Sequence, residues 1–106
     1  MADKMTTQRF EQEVLLAEEP VLIDFYADWC MPCKMLAPVI EEIASEATEV
    51  KVFKVNIDEE PELAQEFDIM SIPTLMVMKD GLVVDKVAGV RGKEDILNML
   101  SLTRQG

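Results

Sequence analysis

Val21-Leu22-Ile23-Asp24-Phe25-Tyr26-Ala27-Asp28-Trp29-Cys30-Met31-Pro32-Cys33-Lys34 is the stretch that decides how this chain folds. Residues 21–27 form an almost continuous apolar run, the pattern of a strand buried on both faces. The next segment has helical periodicity: Leu36, Val39, Ile40, Ile43, Ala44 and Ala47 make one broad stripe over residues 33–48. Pro38 lies inside that helix and is expected to kink it, because it removes one backbone donor. Between strand and helix stand both cysteines of the chain, Cys30 and Cys33. A lone Cys-x-x-Cys pair at such a junction reads as a dithiol–disulfide redox device.

Outward from this centre the elements alternate. Residues 7–18 carry Phe10, Val14, Leu15 and Ala17 among polar side chains, an amphipathic helix capped by Thr6 or Thr7. Val50 to Ile57 alternates as a strand, and Asp58 is placed to cap a short acidic helix through Phe67 with Pro61 in its first turn. Ile72-Pro73-Thr74 leads into a strand over 75–79. The turn Lys79-Asp80-Gly81 then joins it to a strand over 82–88, a strong hairpin signal. Gly89 and Gly92 precede a last helix, 93–103, with Ile96, Leu97, Met99, Leu100 and Leu102 as its apolar positions. Strand–helix–strand units imply parallel neighbours and the hairpin an antiparallel one. The order predicts an α/β fold with a mixed central sheet and helices on both faces.

The thiols define the chemistry. A free cysteine ionises near pH 8.5. Cys30, at the helix start, meets unpaired backbone N–H groups and the positive dipole end, which favour its thiolate. Cys33 lies one turn inside, within bonding reach and less exposed. Cys30 is therefore the expected nucleophile towards a disulfide, and Cys33 the thiol that resolves the mixed disulfide. Two thiols that merely pack, or a metal shared between two subunits, are the competing readings. The chain has two cysteines and no histidine, whereas zinc normally takes four such ligands.

Asp24 interrupts the apolar strand six residues before Cys30, on the same face as Leu22 and Tyr26. If buried, its pKa rises, which suits a proton acceptor for the resolving thiol; the alternative is a strand-edge carboxylate facing water. Lys54, between Phe53 and Val55, is a candidate partner or a solvent-facing lysine. The eight methionines read mostly as core packing, except Met31, which sits between the reactive groups and is expected to be exposed.

Composition limits the remaining classes. One hundred and six residues, 49% of them apolar, suffice for one domain with its own core. A formal charge of −11 opposes nucleic-acid binding and biases encounters towards basic partner surfaces. No apolar run approaches the roughly 20 residues of a membrane helix, and Met1 to Thr7 has no apolar h-region, so the expected location is cytoplasmic.

Taken together and in order, Ile23 to Lys34, Val55-Asn56-Ile57-Asp58, Ile72-Pro73-Thr74-Leu75, Lys79-Asp80-Gly81 and Gly89 resemble the thioredoxin family along nearly the whole chain. The resemblance implies the thioredoxin fold over residues 1–106 and a protein-disulfide reductase acting through Cys30 and Cys33. It implies that Asp24 is a buried proton-transfer group, with Lys54 close to it, and that Ile72–Pro73 is cis. Trp29, Ile72, Pro73 and Gly89 would border the substrate groove, with Met31 and Pro32 between the cysteines. No cofactor is implied beyond the redox-active disulfide. The implied partners are disulfide-containing proteins and a thioredoxin reductase, a flavoprotein drawing on NADPH or ferredoxin, and the expected state is a monomer.

Met31 stands where the family usually has Gly, and Tyr26 where it commonly has Trp. Met31 adds no charge and no hydrogen-bond donor, so the expected effect on reduction potential is tens of millivolts, about 30 mV corresponding to 1.4 kcal/mol. The prediction is a reductant. A disulfide oxidase or isomerase, and a redox-inert docking module, are the rival readings.

Overall fold

The computed structural model describes residues 2–105, and side chains over residues 2–101. Its elements are β1 (Asp3–Lys4), α1 (Thr7–Phe10) continuing as a π-helical turn (Glu11–Leu15), β2 (Val21–Tyr26), α2 (Met31–Glu46), β3 (Lys51–Asn56), α3 (Pro61–Glu66), β4 (Thr74–Lys79), β5 (Leu82–Ala88) and α4 (Lys93–Gln105). The five strands form one sheet in the order β1-β3-β2-β4-β5. β1, β3 and β2 run parallel, whereas β4 is antiparallel to β2 and β5 antiparallel to β4.

Alternation along the central strands divides the core into two layers. Val21, Ile23 and Phe25 of β2 and Met76 and Met78 of β4 face α1 and α3, where Phe10, Val14 and Leu63 meet them. Leu22, Leu75 and Val77 face the other way, onto Leu36, Ile40 and Ile43 of α2 and Ile96 and Leu100 of α4. Helices therefore cover both faces, as the order of elements predicts. β2 is buried along its length because it is the middle strand between two such layers.

The structure corrects several expectations. The first helix stops at Leu15, three residues short of 18, after its last turn widens to a π-helix. A two-residue strand, β1, precedes it; it is too short to carry a period and is defined only by pairing with Phe53 and Lys54. Asp58 does not cap α3: Glu60 holds that position and makes no side-chain cap. Thr6 caps α1 as expected, its Oγ1 accepting from Arg9 N at 3.3 Å, and the Glu60 carboxylate adds a support across 53 residues of sequence by accepting from Thr7 N and Thr7 Oγ1, both at 2.9 Å. α2 begins two residues earlier than its stripe suggested; it includes exposed Pro38 and buries Cys33, Leu36, Ile40 and Ile43. Among the described methionines, Met5, Met76 and Met78 are buried and Met99 packs against the core, Met31 is exposed as expected, and Met35 and Met70 are exposed against expectation. The side chain of Leu102, expected on the apolar face of α4, lies outside the described residues.

The β4–β5 turn shows why Asp-Gly was informative. Asp80 and Gly81 have φ of 55° and 78°, the left-handed pair that a two-residue hairpin turn requires. A Cβ on Gly81 would stand 3.1 Å from the Leu15 carbonyl oxygen, so space and backbone both select glycine. At the opposite end of the hairpin, Gly89 N–H donates to Pro73 O at 2.8 Å. That bond ties the end of β5 to the loop before β4, beside the cysteines.

Candidate active site

The site lies where β2 ends and α2 begins. Cys30 is the N-cap of α2, with extended backbone (φ −92°, ψ 110°), and its sulfur accepts from Cys33 N–H at 3.2 Å. Cys30 and Cys33 are joined as a disulfide, their Cα atoms 5.2 Å apart. Cys30 Sγ also lies 3.8 Å from Ile72 O, so the loop before Pro73 packs directly on the reactive sulfur. The Ile72–Pro73 peptide is cis, as the resemblance implied. Cys33 was expected to be the less exposed sulfur; in the disulfide both are buried, at 4% and 3% exposure. Their surroundings differ in direction rather than in depth.

Cys33 looks inward. It lines a small cavity of about 50 Å³ with Asp24, Tyr26, Ala37, Ile40, Glu41 and Lys54. A water molecule needs roughly 10–15 Å³, so one fits there. Asp24 is buried at 4% exposure, and its Oδ1 has no hydrogen-bond partner among the described residues. Burial pushes the Asp24 carboxyl from 3.8 up to about 7, against a smaller opposing pull from Lys54. The water-facing reading of Asp24 is thus excluded. Lys54 is its register partner on β3, yet the Lys54 ammonium sits 4.0 Å from Glu41 Oε2 and 5.8 Å from the Tyr26 ring centre rather than on Asp24.

Cys30 looks outward, among Trp29, Met31 and the Ile72–Pro73 loop. Trp29 and Met31 are exposed at 67% and 66%, an apolar rim of the kind that marks a docking surface. Pro32 is exposed beside them, Ile72 is half-buried, and Gly89 closes the far side through its bond to Pro73. Gly89 has φ 93°, a backbone state that favours glycine. The structure thus gathers Cys30, Cys33, Trp29, Met31, Pro32, Ile72, Pro73 and Gly89 at one end of the sheet, with Asp24 and Lys54 behind the thiols.

Two contributors escaped the reading of the sequence. Trp29 Nε1 donates to Asp58 Oδ2 at 2.9 Å, so Asp58 fixes the indole instead of capping a helix. Asn56, in turn, accepts from Asp58 N and Glu59 N through Oδ1 and shapes the turn that carries Asp58. Nothing local in the sequence signals this long-range pairing. Glu41 is the second. Cys33, Ala37 and Glu41 are spaced four residues apart along α2, so one helix face lines the cavity; that spacing was visible.

A mixed sheet with this order, a disulfide at an α2 N-terminus and a proline loop packed upon it define a thiol–disulfide oxidoreductase. The thioredoxin family model matches residues 2–102. Thioredoxin of Mycobacterium tuberculosis (strain H37Rv) is 50% identical over 99 residues, covering 92% of this chain and 85% of that protein. Thioredoxin 1 of Synechococcus elongatus is 50% identical over 101 residues, 94% of each chain. A bifunctional thioredoxin reductase/thioredoxin of Mycobacterium leprae is 46% identical over 99 residues, 92% of this chain and 22% of that one. The chain belongs to the thioredoxin family. It is a protein-disulfide reductase that works through the Cys30–Cys33 pair. Its redox group is that disulfide, part of the chain itself, and no separate cofactor is used.

Proposed function

We propose that the two cysteines have fixed and unequal roles. In the reduced protein, Cys30 attacks one sulfur of a substrate disulfide. The substrate S–S bond breaks, one substrate thiolate leaves and takes a proton, and a Cys30–substrate disulfide forms. Cys33 then passes its proton to the Asp24 carboxylate through the cavity and attacks Cys30 Sγ. The Cys30–Cys33 disulfide forms and the second substrate thiolate leaves, so two electrons have moved from the chain to the substrate. The observation that carries this reading is directional: Cys30 Sγ meets the Ile72 carbonyl at the open rim, whereas Cys33 lines the cavity that holds Asp24. The Cys33 N–H and the α2 dipole support the Cys30 thiolate when it is released.

Replacing Cys33 with Ser is expected to trap substrates covalently on Cys30, detectable by mass spectrometry after alkylation. Traps forming on Cys33 in a Cys30→Ser variant, and none in Cys33→Ser, would reverse the assignment. Trp29, Met31, Pro32, Ile72, Pro73 and Gly89 form the substrate groove in this reading, and Lys54 tunes Asp24. Their support is position: Trp29, Met31 and Pro32 flank the cysteines in the chain, Ile72 O lies 3.8 Å from Cys30 Sγ, Gly89 is bonded to Pro73, and Lys54 is the register partner of Asp24 in the β2–β3 pairing.

The working role is that of a reductant. Thioredoxins have a general reference potential of about −270 mV, and Met31 brings neither charge nor a hydrogen-bond donor to move it far. A potential above about −200 mV, titrated against a dithiol buffer, would assign an oxidase or isomerase role instead. We place the protein in the cytoplasm as a monomeric single domain over residues 1–106, with disulfide-containing proteins as substrates and neither nucleic acid nor membrane as partner. The single sheet, the acidic balance of −11 and the reducing chemistry support this setting, and no helix among the described residues is long and apolar enough to cross a membrane.

A further inference from the structure

The groove is not electrically uniform. In a chain with 10 basic against 21 acidic residues, free cations are scarce. Lys4, Arg9, Lys51, Lys54, Lys79 and Lys93 each have a carboxylate within 4.0 Å. Arg91 has none among the described residues. Its loop offers one, since Asp95 Oδ2 stands 4.0 Å from the position of a Cβ on Gly92. The guanidinium makes no ion pair with it and lies beside Gly89. Arg91 Nη1 lies 3.4 Å from where a Cβ on Gly89 would stand, and donates to the Val90 carbonyl at 3.2 Å. Gly89 is the residue bonded to Pro73 O, so this cation is fixed at the groove wall. A guanidinium has five N–H donors in a planar fork matched to a carboxylate, and the Val90 carbonyl uses one of them.

The opposite flank has the other sign. Asp58 carries the Trp29 indole, and exposed Asp28 precedes Trp29. Lys93, the next cation beyond Arg91, is drawn off to Glu42 and Glu46 at 2.6 and 2.8 Å. Lys86 of β5 donates to the Phe67 carbonyl at 2.7 Å. Lys34, one residue past Cys33, is exposed on α2 and has no carboxylate within ion-pair distance among the described residues. Among the described residues, the Gly89 wall is therefore basic through Arg91 alone.

We propose that Arg91 is a specificity-determining residue of the groove, favouring disulfides with an acidic side chain, Asp or Glu, within two residues of the attacked cysteine. The overall charge of −11 pulls the other way at long range. Salt screens that field beyond roughly 8 Å at physiological ionic strength, so at contact the nearest fixed charge decides. The inference rests on the assignment of the groove to the rim around Cys30.

The experiment uses three disulfide peptides identical except for Glu, Gln or Lys beside the attacked cysteine, and measures second-order rates of reduction by the reduced protein. The readout is the Glu-to-Lys rate ratio, wild type against variant, because the net charge acts almost equally on both proteins. An exposed charge pair contributes a factor of about 1.5 to 5. Arg91→Gln is expected to lower the ratio by that factor, Arg91→Glu to lower it further, and Arg91→Lys to keep most of it. Raising salt to molar levels should remove the difference between wild type and Arg91→Gln. A ratio that is the same in wild type and Arg91→Gln overturns the proposal, including the case where the variant slows all three peptides equally. Trp29→Ala separates the two readings: it should slow all three peptides in common proportion. Unchanged rates in that variant would mean that the groove itself has been misplaced.

Discussion

Asp24 bears the largest single conflict between folding and function. Its carboxyl is shifted from 3.8 to about 7 by burial, which means the folded protein binds this proton more tightly than the unfolded chain does. Below about pH 4 both states are protonated and the residue is neutral to stability. Between pH 4 and 7 the unfolded chain ionises freely while the folded one resists, so stability falls across that window and the loss is complete above it. A shift of this size corresponds to roughly 4 kcal/mol. Asp24→Asn is therefore expected to stabilise the oxidised protein by a few kcal/mol at pH 8 and by little at pH 3.5, read from urea unfolding. An equal gain at both values would refute burial of the charge as the cause. The same variant should slow release of substrate from the mixed disulfide, because the acceptor for the Cys33 proton is gone. A group that titrates near 7 can take that proton and return it at cellular pH, which an ordinary aspartate cannot.

At the scale of elements, the site is positioned by the ends of strands and helices held together from a distance. β2 delivers Asp24, Tyr26 and the approach to Cys30; α2 delivers both cysteines and the cavity wall; the β4–β5 pairing brings Gly89 onto Pro73. The first helix is short and irregular, and its start depends on Glu60 of the segment before α3. Losing that carboxylate leaves the Thr7 N–H without its partner. Hydrogen bonds to charged groups contribute about 1.5–3 kcal/mol, and about 1 kcal/mol moves the melting temperature of a domain this size by roughly 4–8 °C. Glu60→Ala is expected to lower the melting temperature by several degrees without changing the reduction rate of a small disulfide. A fall in that rate comparable to the loss of stability would tie α1 to the active site and contradict its role as a distant support. β5, the sheet edge, is broken by a register shift opposite Val77 and Met78 and carries Asp85 and Lys86 in its middle, features that discourage edge-to-edge pairing.

Across the whole molecule, charge and shape act at different ranges. The net −11 surrounds a site whose rim is apolar and whose Gly89 wall carries Arg91. Long-range attraction therefore favours basic proteins, and salt should weaken it. Reduction of a basic disulfide protein is expected to slow several-fold between about 20 and 200 mM salt, where the screening length falls below roughly 10 Å. A small uncharged disulfide should be insensitive over the same range. If both respond alike, salt is acting on the thiols and not on encounter.

The alternation of elements, the two-faced burial of β2, the Asp-Gly hairpin and the redox pair at the head of α2 are legible in the residues alone. Each has local causes: side-chain period, turn stereochemistry, and the spacing of two cysteines along one turn. Tertiary structure alone decided whether Asp24 faces water or core, because an apolar strand has no polar face from which to infer its direction. It also decided that Asp58 holds Trp29, that Glu60 supports the start of α1, that Lys54 leans to Glu41, and that Arg91 lies beside Gly89. These partners stand far apart in the chain or are chosen among several near neighbours, and only the closed sheet fixes which group comes to lie beside which.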